Sequence, residues 1–231
     1  MESIRLITYN IHHGTNADEK PSLNEIAALL SNLNPGIIAL QEVDKNLARS
    51  GRQHQASVLA QQLNMNFVFA GALQYPNGEY GNALLSRLPI ISCKKHLLPD
   101  PVENRCLMEV IVQSPSGPLG IFNVHMSLDA VTREQHLTNF ILPRLEACPY
   151  PVILMGDFNS TSDRKDIKLL TSRLTDTYIF NEGIITNSFP SSQPVKRIDY
   201  ILADNHFQVQ KYFIVDSRAS DHLPVAAEIL I

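Results

Sequence analysis

Short apolar runs separated by turn-forming residues dominate the pattern of this 231-residue chain. We predict about ten β-strands from runs that are continuously apolar or that alternate apolar with polar positions. These strands lie in the stretches IRLITYNI, GIIALQEV, NFVFAGA, NALLSRLPI, RCLMEVIVQ, LGIFNVHMS, PVILMGDF, RIDYILAD, FQVQKYFIVD and LPVAAEILI. Continuous runs such as GIIAL are typical of strands that are buried on both faces. The turn SPSGP between two of the stretches predicts a β-hairpin.

Helical periodicity occurs in only about three or four segments between these strands. In PSLNEIAALLSNLN the pair Ser22 and Glu25 fits a capping box, and in TREQHLTNFILPRLEAC the pair Thr132 and Gln135 fits another. Pro143 should kink or divide the second helix. Hairpins mixed with crossovers, without strict βαβ alternation, favour an α/β fold of mixed sheets covered by helices. The chain shows no repeat or linker, so we predict one domain spanning 1–231.

Composition narrows the functional class only slightly. The chain is 44% hydrophobic and 18% charged, as expected of a globular protein, and its net charge of −4 disfavours general nucleic-acid binding without excluding a local basic cleft. Three cysteines lack metal-type spacing and are expected to be free thiols in a reducing compartment. The N-terminus resembles neither a signal peptide nor a membrane helix. We therefore expect a cytoplasmic monomer, although a chain that had lost a secretion leader would show the same N-terminus.

Polar side chains recur where the predicted strands end. The residues concerned are Asn10, Glu42, His125, Asp157, Asn159, Asp199, Asp221 and His222. Each has a structural alternative: asparagine and aspartate are common in turns, and His222 could be a surface residue. A carboxylate within or next to a buried run, as at Glu42 and Asp199, is costly unless it is paired or bound to a metal. Convergence of several such strand ends favours a functional site.

The residue types in this set fit metal-assisted attack on phosphorus. Carboxylate and amide oxygens are hard ligands that suit Mg²⁺ or Mn²⁺, and the sequence has no Cys/His cluster of the zinc type. In an extended segment, Asp157 and Asn159 would point to the same side and could hold and deprotonate one water. An Asp–His pair would keep an imidazole oriented and charged. The set therefore predicts a metal-dependent phosphohydrolase.

The motifs that carry these residues resemble the endonuclease/exonuclease/phosphatase superfamily. The matching stretches are TYNIH, LQEVD, YGNALLSR, NVHMS, GDFNS, RIDYIL and SDHLPV, and they occur in family order from Thr8 to Val225. The pair GDFN and SDH is the most specific part of the match. This resemblance implies a deoxyribonuclease I-like, four-layer α/β/β/α sandwich of two mixed, largely antiparallel sheets.

The resemblance also implies a role for each residue of the set. Glu42 would be the main metal ligand, with Asn10 and Asp221 beside it. Asp157 and Asn159 would activate and hold the water, and His222 would bind the scissile phosphate with Asp199 as its partner. His125 matches a second histidine of deoxyribonuclease I-like and sphingomyelinase-like members. Candidate substrate contacts are Asn82, Arg105, Arg49 and Arg52; the arginines are included because guanidinium matches phosphate oxygens, with ordinary surface arginines as the alternative.

The substrate stays open at this level. We expect cleavage of a phosphodiester, either in nucleic acid or in a phospholipid-type molecule. The alternative is a phosphomonoesterase acting on a small or lipid phosphate such as an inositol phosphate. A non-catalytic scaffold is disfavoured because every expected catalytic residue type is present. The scattered basic residues do not select a nuclease.

Overall fold

Twelve strands form two stacked β-sheets in the computed structural model, which describes residues 2–231. The strands are β1 (Ser3–Asn10), β2 (Ile37–Lys45), β3 (Asn66–Tyr75), β4 (Gly78–Ser86), β5 (Ile90–Leu98), β6 (Arg105–Ser114), β7 (Gly117–His125), β8 (Val152–Asp157), β9 (Thr175–Asp176), β10 (Asp199–Ala203), β11 (Gln208–Ile214) and β12 (Val225–Leu230). The first sheet has the order β11-β12-β1-β2-β4-β3, and the second has the order β5-β6-β7-β8-β10-β9. Only β1–β2 and β7–β8 pair in parallel, so both sheets are mixed and largely antiparallel.

Helices cover the two outer faces of this pair of sheets. They are α1 (Leu23–Leu33), α2 (Gln55–Leu63), α3 (Ala130–His136), α4 (Leu142–Ala147) and α5 (Lys165–Thr171). The first two pack on the first sheet, whereas α4, α5 and the π-turn between α3 and α4 pack on the second. The predicted four-layer α/β/β/α sandwich is therefore confirmed. Within residues 2–231, no helix is both long and apolar enough to cross a membrane.

The apolar runs of the sequence follow from burial on both faces of each central strand. In β1, Leu6 belongs to the core between the sheets, and its neighbour Ile7 belongs to the core beneath the helices. Successive side chains of a strand point to opposite faces, so a strand with two buried faces has no polar alternation. The two cores hold the central strands rigidly, which fixes where their carboxyl ends lie.

Several local predictions were wrong. NALLSRLPI is not one strand, because β4 ends at Ser86 and β5 begins at Ile90 in the other sheet, after Pro89, which has no N–H to donate. The Ser22 hydroxyl donates to the Ala219 carbonyl at 2.6 Å instead of capping α1. Asp129, not Thr132, caps α3, accepting from the backbone N–H of Thr132 at 2.7 Å.

The predicted break at Pro143 is confirmed. The π-turn Leu137–Ile141 interrupts the helix, and α4 begins one residue before the proline. Proline is tolerated in the first turn of a helix because the N–H it lacks has no partner there. The interruption lets two short helices follow the curved outer face of the second sheet.

A buried polar cluster joins the two sheets close to their carboxyl ends. Asn123 of β7 donates through Nδ2 to the carbonyl oxygens of Leu40, at 3.0 Å, and Ala83, at 2.8 Å. Its Oδ1 accepts from Gln41 Nε2 at 2.8 Å. The pairing of β2 with β4 shifts register between Leu40 and Val43, a β-bulge. Asn123 therefore bonds a carbonyl at the edge of the bulge that carries Glu42.

Asn123→Ala should lower the free energy of unfolding by at least about 2 kcal/mol, because it leaves buried carbonyl and amide groups without partners. Urea denaturation measures this change, with Asn139→Ala at an exposed position as the matched control. Equal losses in the two variants would show that the buried cluster does not stabilise the fold.

Candidate active site

The carboxyl ends of the two central parallel strand pairs meet at one edge of the sandwich. Asn10 is the last residue of β1 in the first sheet, and Asp157 is the last residue of β8 in the second. Glu42 lies within the bulge of β2 with a left-handed backbone, φ 58°. A bulge redirects the side chain that it carries. Glu42 accordingly turns towards the end of β1 instead of following the regular alternation of the strand.

The Asn10 amide bridges two carboxylates. Its Nδ2 donates to Glu42 Oε1 at 3.0 Å and to Asp157 Oδ2 at 3.1 Å, and its Oδ1 accepts from the backbone N–H of His12 at 3.1 Å. Asn10 and Asp157 are buried, and Glu42 is half-buried. Among the described residues, Glu42 has no ion-pair partner, so two carboxylates converge with only an amide between them. The Glu42 and Asp157 carboxylates offer hard oxygen donors, which suit a divalent ion such as Mg²⁺ or Mn²⁺.

Asp221 lies on the other side of Asn10. Its neighbour Ser220 donates a hydrogen bond to the Asn10 carbonyl at 2.8 Å, which ties the segment before β12 to the end of β1. Asp221 Oδ1 lies 3.3 Å from the Ser220 hydroxyl and 3.9 Å from His12 Nδ1. The Asp221 carboxylate is partly exposed, and the bond from Ser220 to Asn10 keeps it near the end of β1.

The GDFN segment does not have the extended geometry expected from its spacing. β8 ends at Asp157, and Asn159 has a left-handed backbone, φ 49°. The Asn159 backbone N–H donates to Asp157 Oδ1 at 2.9 Å, and its Nδ2 donates to the Met126 carbonyl at 3.0 Å. The prediction that Asp157 and Asn159 point to the same side of an extended segment is therefore wrong. Asn159 instead fixes the Asp157 carboxylate through its own backbone.

Gly156 is required where β8 passes closest to β7. Its φ of 151° is rare for residues with a side chain, and a Cβ there would lie 1.9 Å from the Val124 carbonyl oxygen. The glycine lets β8 deliver Asp157 next to the end of β7.

His222 lies between two buried carboxylates. Its Nδ1 is 2.9 Å from Asp199 Oδ2, and its Nε2 is 3.7 Å from Asp157 Oδ2. Burial by itself would lower the pKa of the imidazole, but Asp199 and Asp157 outweigh it and raise this pKa to about 10. Burial raises the pKa of Asp157, and the charge of His222 opposes that rise. His222 is therefore an imidazolium at neutral pH, oriented by Asp199.

His125 differs from His222 in its charge. Its Nε2 lies 3.6 Å from Asp157 Oδ2, and its Nδ1 lies 3.3 Å from Arg105 Nη1. Burial, together with the charges of Arg105 and His222, lowers the pKa of His125 well below its usual value. Because the guanidinium is only a donor, Nδ1 is assigned as the acceptor and Nε2 as the protonated nitrogen of a neutral ring. Arg105 is itself held by Glu103 Oε1 at 2.6 Å.

A cavity of about 270 Å³ opens beside this cluster. Its walls are formed by His12, His13, Glu42, Arg49, Tyr75, Tyr80, Glu103 and Arg105. Arg49 is held in place by a two-point contact with the buried Asp44, at 2.9 and 2.7 Å, and its guanidinium lies 5.1 Å from the centre of the Tyr80 ring. These contacts fix the position of the Arg49 guanidinium in the cavity wall.

Two predicted substrate contacts lie outside these walls. Arg52 is exposed and is not among the residues that line the cavity. Asn82 is buried, and its Nδ2 donates to the Cys106 carbonyl of the facing sheet at 3.0 Å, so only the second N–H of that amide is free for a phosphate. Their roles as substrate contacts stay predictions.

Sequence analysis did not assign His12, His13 and Glu103 to the site. His12 and His13 lie in a 3₁₀ turn after β1 and Glu103 lies in the loop before β6, so none of the three ends an apolar strand. The His-His-Gly triplet, directly after the strand that ends at Asn10, was the available signal for the first two.

Comparison with known proteins agrees with this geometry. The model of the Endonuclease/Exonuclease/phosphatase family matches residues 7–222. The uncharacterized protein YbhP of Escherichia coli K12 is 26% identical over 247 residues, covering 98% of this chain and 96% of YbhP. A functionally unknown conserved protein of Enterococcus faecalis V583 has a TM-score of 0.83 at 22% identity, covering 98% and 99% of the two chains. The mannosyl-6-phosphatase Bt3783 of Bacteroides thetaiotaomicron has a TM-score of 0.82 at 19% identity, covering 99% and 100%. The chain belongs to the endonuclease/exonuclease/phosphatase family, whose members hydrolyse phosphate esters.

Proposed function

We propose that this protein is a divalent-metal-dependent phosphohydrolase that cleaves a phosphoester by attack of an activated water. The observation that carries the proposal is the Asn10 amide, within 3.1 Å of both the Glu42 and the Asp157 carboxylate, with His222 Nε2 3.7 Å from the same Asp157 oxygen. These groups come from both sheets and meet at one edge. An oxygen cluster next to a charged imidazole suits a phosphoryl group, which carries negative charge.

Glu42, Asn10 and Asp221 would hold the Mg²⁺ or Mn²⁺ ion. Bound there, the ion supplies Lewis-acid polarisation of the phosphoryl oxygen and neutralises charge on the leaving oxygen. The hard oxygen donors, and the lack of a charged partner for Glu42 within residues 2–231, support this assignment.

Asp157 and His125 of the second sheet, with His222 from the segment before β12 of the first, would act on the water and the phosphoryl group. Asp157, held by the Asn159 backbone, takes a proton from the attacking water as the new P–O bond forms. His222 donates from Nε2 to a non-bridging phosphoryl oxygen, where charge increases in the transition state. Neutral His125, with its proton on Nε2, lies 3.6 Å from Asp157 Oδ2 and helps to orient that carboxylate. The bond to the leaving alcohol then breaks; the alcohol oxygen takes up a proton from solvent, and Asp157 returns the proton it took from water to solvent.

Glu42→Gln should weaken Mg²⁺ binding and raise the Mg²⁺ concentration needed for half-maximal activity by at least about tenfold, because a neutral amide replaces the main charged ligand. Calorimetric titration with Mg²⁺ measures the binding directly. Glu25→Gln, at an exposed position of α1, is the matched control. A Glu42→Gln variant with unaltered metal dependence would contradict the ligand assignment.

The phosphodiester that we expect from sequence is the first candidate substrate. A second candidate, a small phosphomonoester, is favoured by the cavity of about 270 Å³, which is below the usual range for drug-sized ligands. The neighbour Bt3783 carries the name of a phosphatase that acts on such an ester. Hydrolysis of bis-p-nitrophenyl phosphate against p-nitrophenyl phosphate, each with EDTA, Mg²⁺ or Mn²⁺, separates the two. Preference for the diester directs the search to nucleic acids and phospholipids; preference for the monoester directs it to sugar and inositol phosphates.

A cytoplasmic, monomeric protein is also part of the proposal. Cell fractionation and size-exclusion chromatography with light scattering test the two statements separately.

A further inference from the structure

Two imidazoles and one carboxylate converge in the loop that follows β1. His12 Nε2 lies 3.7 Å from Glu19 Oε1, and His13 Nε2 lies 3.8 Å from Glu19 Oε2. One ligand atom from each of the three residues can be chosen so that all three lie within 4.8 Å of one another. None of these side chains takes part in the proposed proton transfers.

These separations are close to those of metal ligands. For bonds of about 2.0–2.1 Å in a tetrahedral site, two ligand atoms lie about 3.3–3.4 Å apart. The 3.7 and 3.8 Å nitrogen-to-oxygen distances exceed that value by a few tenths of an ångström, which side-chain rotations can remove. His12 approaches one oxygen of the Glu19 carboxylate and His13 approaches the other, so both rings can lie beside the same carboxylate.

The backbone holds the three side chains in this arrangement. His12, His13 and Glu19 all have left-handed backbones, with φ of 43°, 44° and 58°. Such conformations are unfavourable for residues with a side chain and concentrate at functional sites. The loop is closed by an isolated bridge between Thr15 and Pro21. The bridge fixes the two ends of the loop, and Glu19 lies within 3.8 Å of both rings.

Attraction between the histidines and Glu19 does not by itself explain the strained loop. The Glu19 side chain is 69% exposed, and exposed ion pairs contribute little to stability because water screens them. Burial, followed by the charge of Arg49, lowers the pKa of His13 and so favours the uncharged form of that ring. A neutral imidazole is a metal ligand rather than an ion-pair partner.

We propose that His12, His13 and Glu19 bind a transition-metal ion such as Zn²⁺, at a site separate from the Mg²⁺ site at Glu42. Imidazole nitrogen selects Zn²⁺, Co²⁺ or Ni²⁺, whereas the all-oxygen cluster at Asn10 and Glu42 selects Mg²⁺. Three protein ligands leave a coordination position open. Both histidines also line the cavity beside Glu42, so a substrate group bound at that position would lie inside the cavity.

The test is Co²⁺ binding to the tag-free protein in excess Mg²⁺, which occupies the oxygen cluster. Calorimetry and the visible absorption of bound Co²⁺ should give one ion per chain for the unaltered protein. His13→Ala and Glu19→Gln should each weaken this binding by at least about tenfold. His12 is left intact because its backbone N–H bonds Asn10 and its ring approaches Asp221.

Three controls make the result decisive. His206→Ala and Glu25→Gln remove an exposed histidine and an exposed carboxylate elsewhere, and they should bind Co²⁺ unchanged. Glu42→Gln should also keep the Co²⁺ site, since Glu42 belongs to the other cluster. The proposal is overturned if His13→Ala and Glu19→Gln bind Co²⁺ as the unaltered protein does, or if Glu42→Gln loses the ion equally. Thermal melting of the apoproteins checks that each variant is folded.

Discussion

Asp157→Asn should reduce kcat by about 10³-fold, within the range usually lost with a general base. The substitution keeps the size of the side chain and its acceptor for the Asn159 backbone N–H, but an amide cannot take a proton from the attacking water. Asp157 also receives Asn10 Nδ2 at 3.1 Å and approaches both His125 and His222. The Asp157 carboxylate therefore contacts Asn10, which belongs to the proposed metal site, and lies near both histidines.

The measurement is hydrolysis of the better p-nitrophenyl ester at saturating Mg²⁺. Asp163→Asn, an exposed aspartate in the loop after GDFNS, is the matched control and should keep full activity. The melting temperature of Asp157→Asn should show that the protein is folded. A variant that kept more than about a tenth of the normal kcat would assign activation of the water to another group.

The polar strand ends were predictable because burial makes such residues conspicuous. An amide or a carboxylate after a run such as LITY or VILM stands out against the apolar pattern, as Asn10 and Asp157 do. The same runs predicted mixed sheets covered by helices but not the number of layers, because one sheet with helices on both faces also buries its central strands; the four-layer sandwich was implied by the family resemblance.

Features set by long-range contacts were not predictable. β5 lies at the edge of its sheet with mostly exposed side chains, including Lys94 and Lys95, so it has no buried face to signal it. The position of His13 depends on Gln55, whose Nε2 donates to the His13 carbonyl at 2.6 Å from a distant helix. Asn159 took a left-handed turn because its amide reaches the Met126 carbonyl. No local pattern encodes contacts of this kind.

His222→Ala should reduce kcat by about 10²–10³-fold, the scale for losing one group that stabilises transition-state charge. The imidazolium is held 2.9 Å from Asp199 and 3.7 Å from Asp157, so its charge lies beside the carboxylate that would activate the water for attack on phosphorus. His222→Gln separates charge from hydrogen bonding, since glutamine keeps a neutral N–H donor. A loss as large in His222→Gln as in His222→Ala would show that the positive charge carries the effect.

Asp199 should act only through His222. Asp199→Asn removes the carboxylate that orients and charges the imidazole, and we expect it to lower kcat by at least about tenfold. Groups that act as a unit are not additive, so the double variant should be no slower than His222→Ala alone. His222→Ala leaves the buried Asp157 and Asp199 carboxylates without a cation, which lowers the free energy of unfolding. The double variant removes one of these charges and should therefore be less destabilised than His222→Ala.

The double-mutant cycle therefore distinguishes a positioning residue from an independent catalytic one. Multiplying losses in kcat would mean that Asp199 contacts the reacting groups itself, and the unpartnered, buried Asp199 Oδ1 would be the atom concerned. A rise in KM with unchanged kcat for His222→Ala would instead show that His222 binds substrate and transition state equally. That second result would remove His222 from the chemical step and leave Asp157 and the metal ligands to account for it.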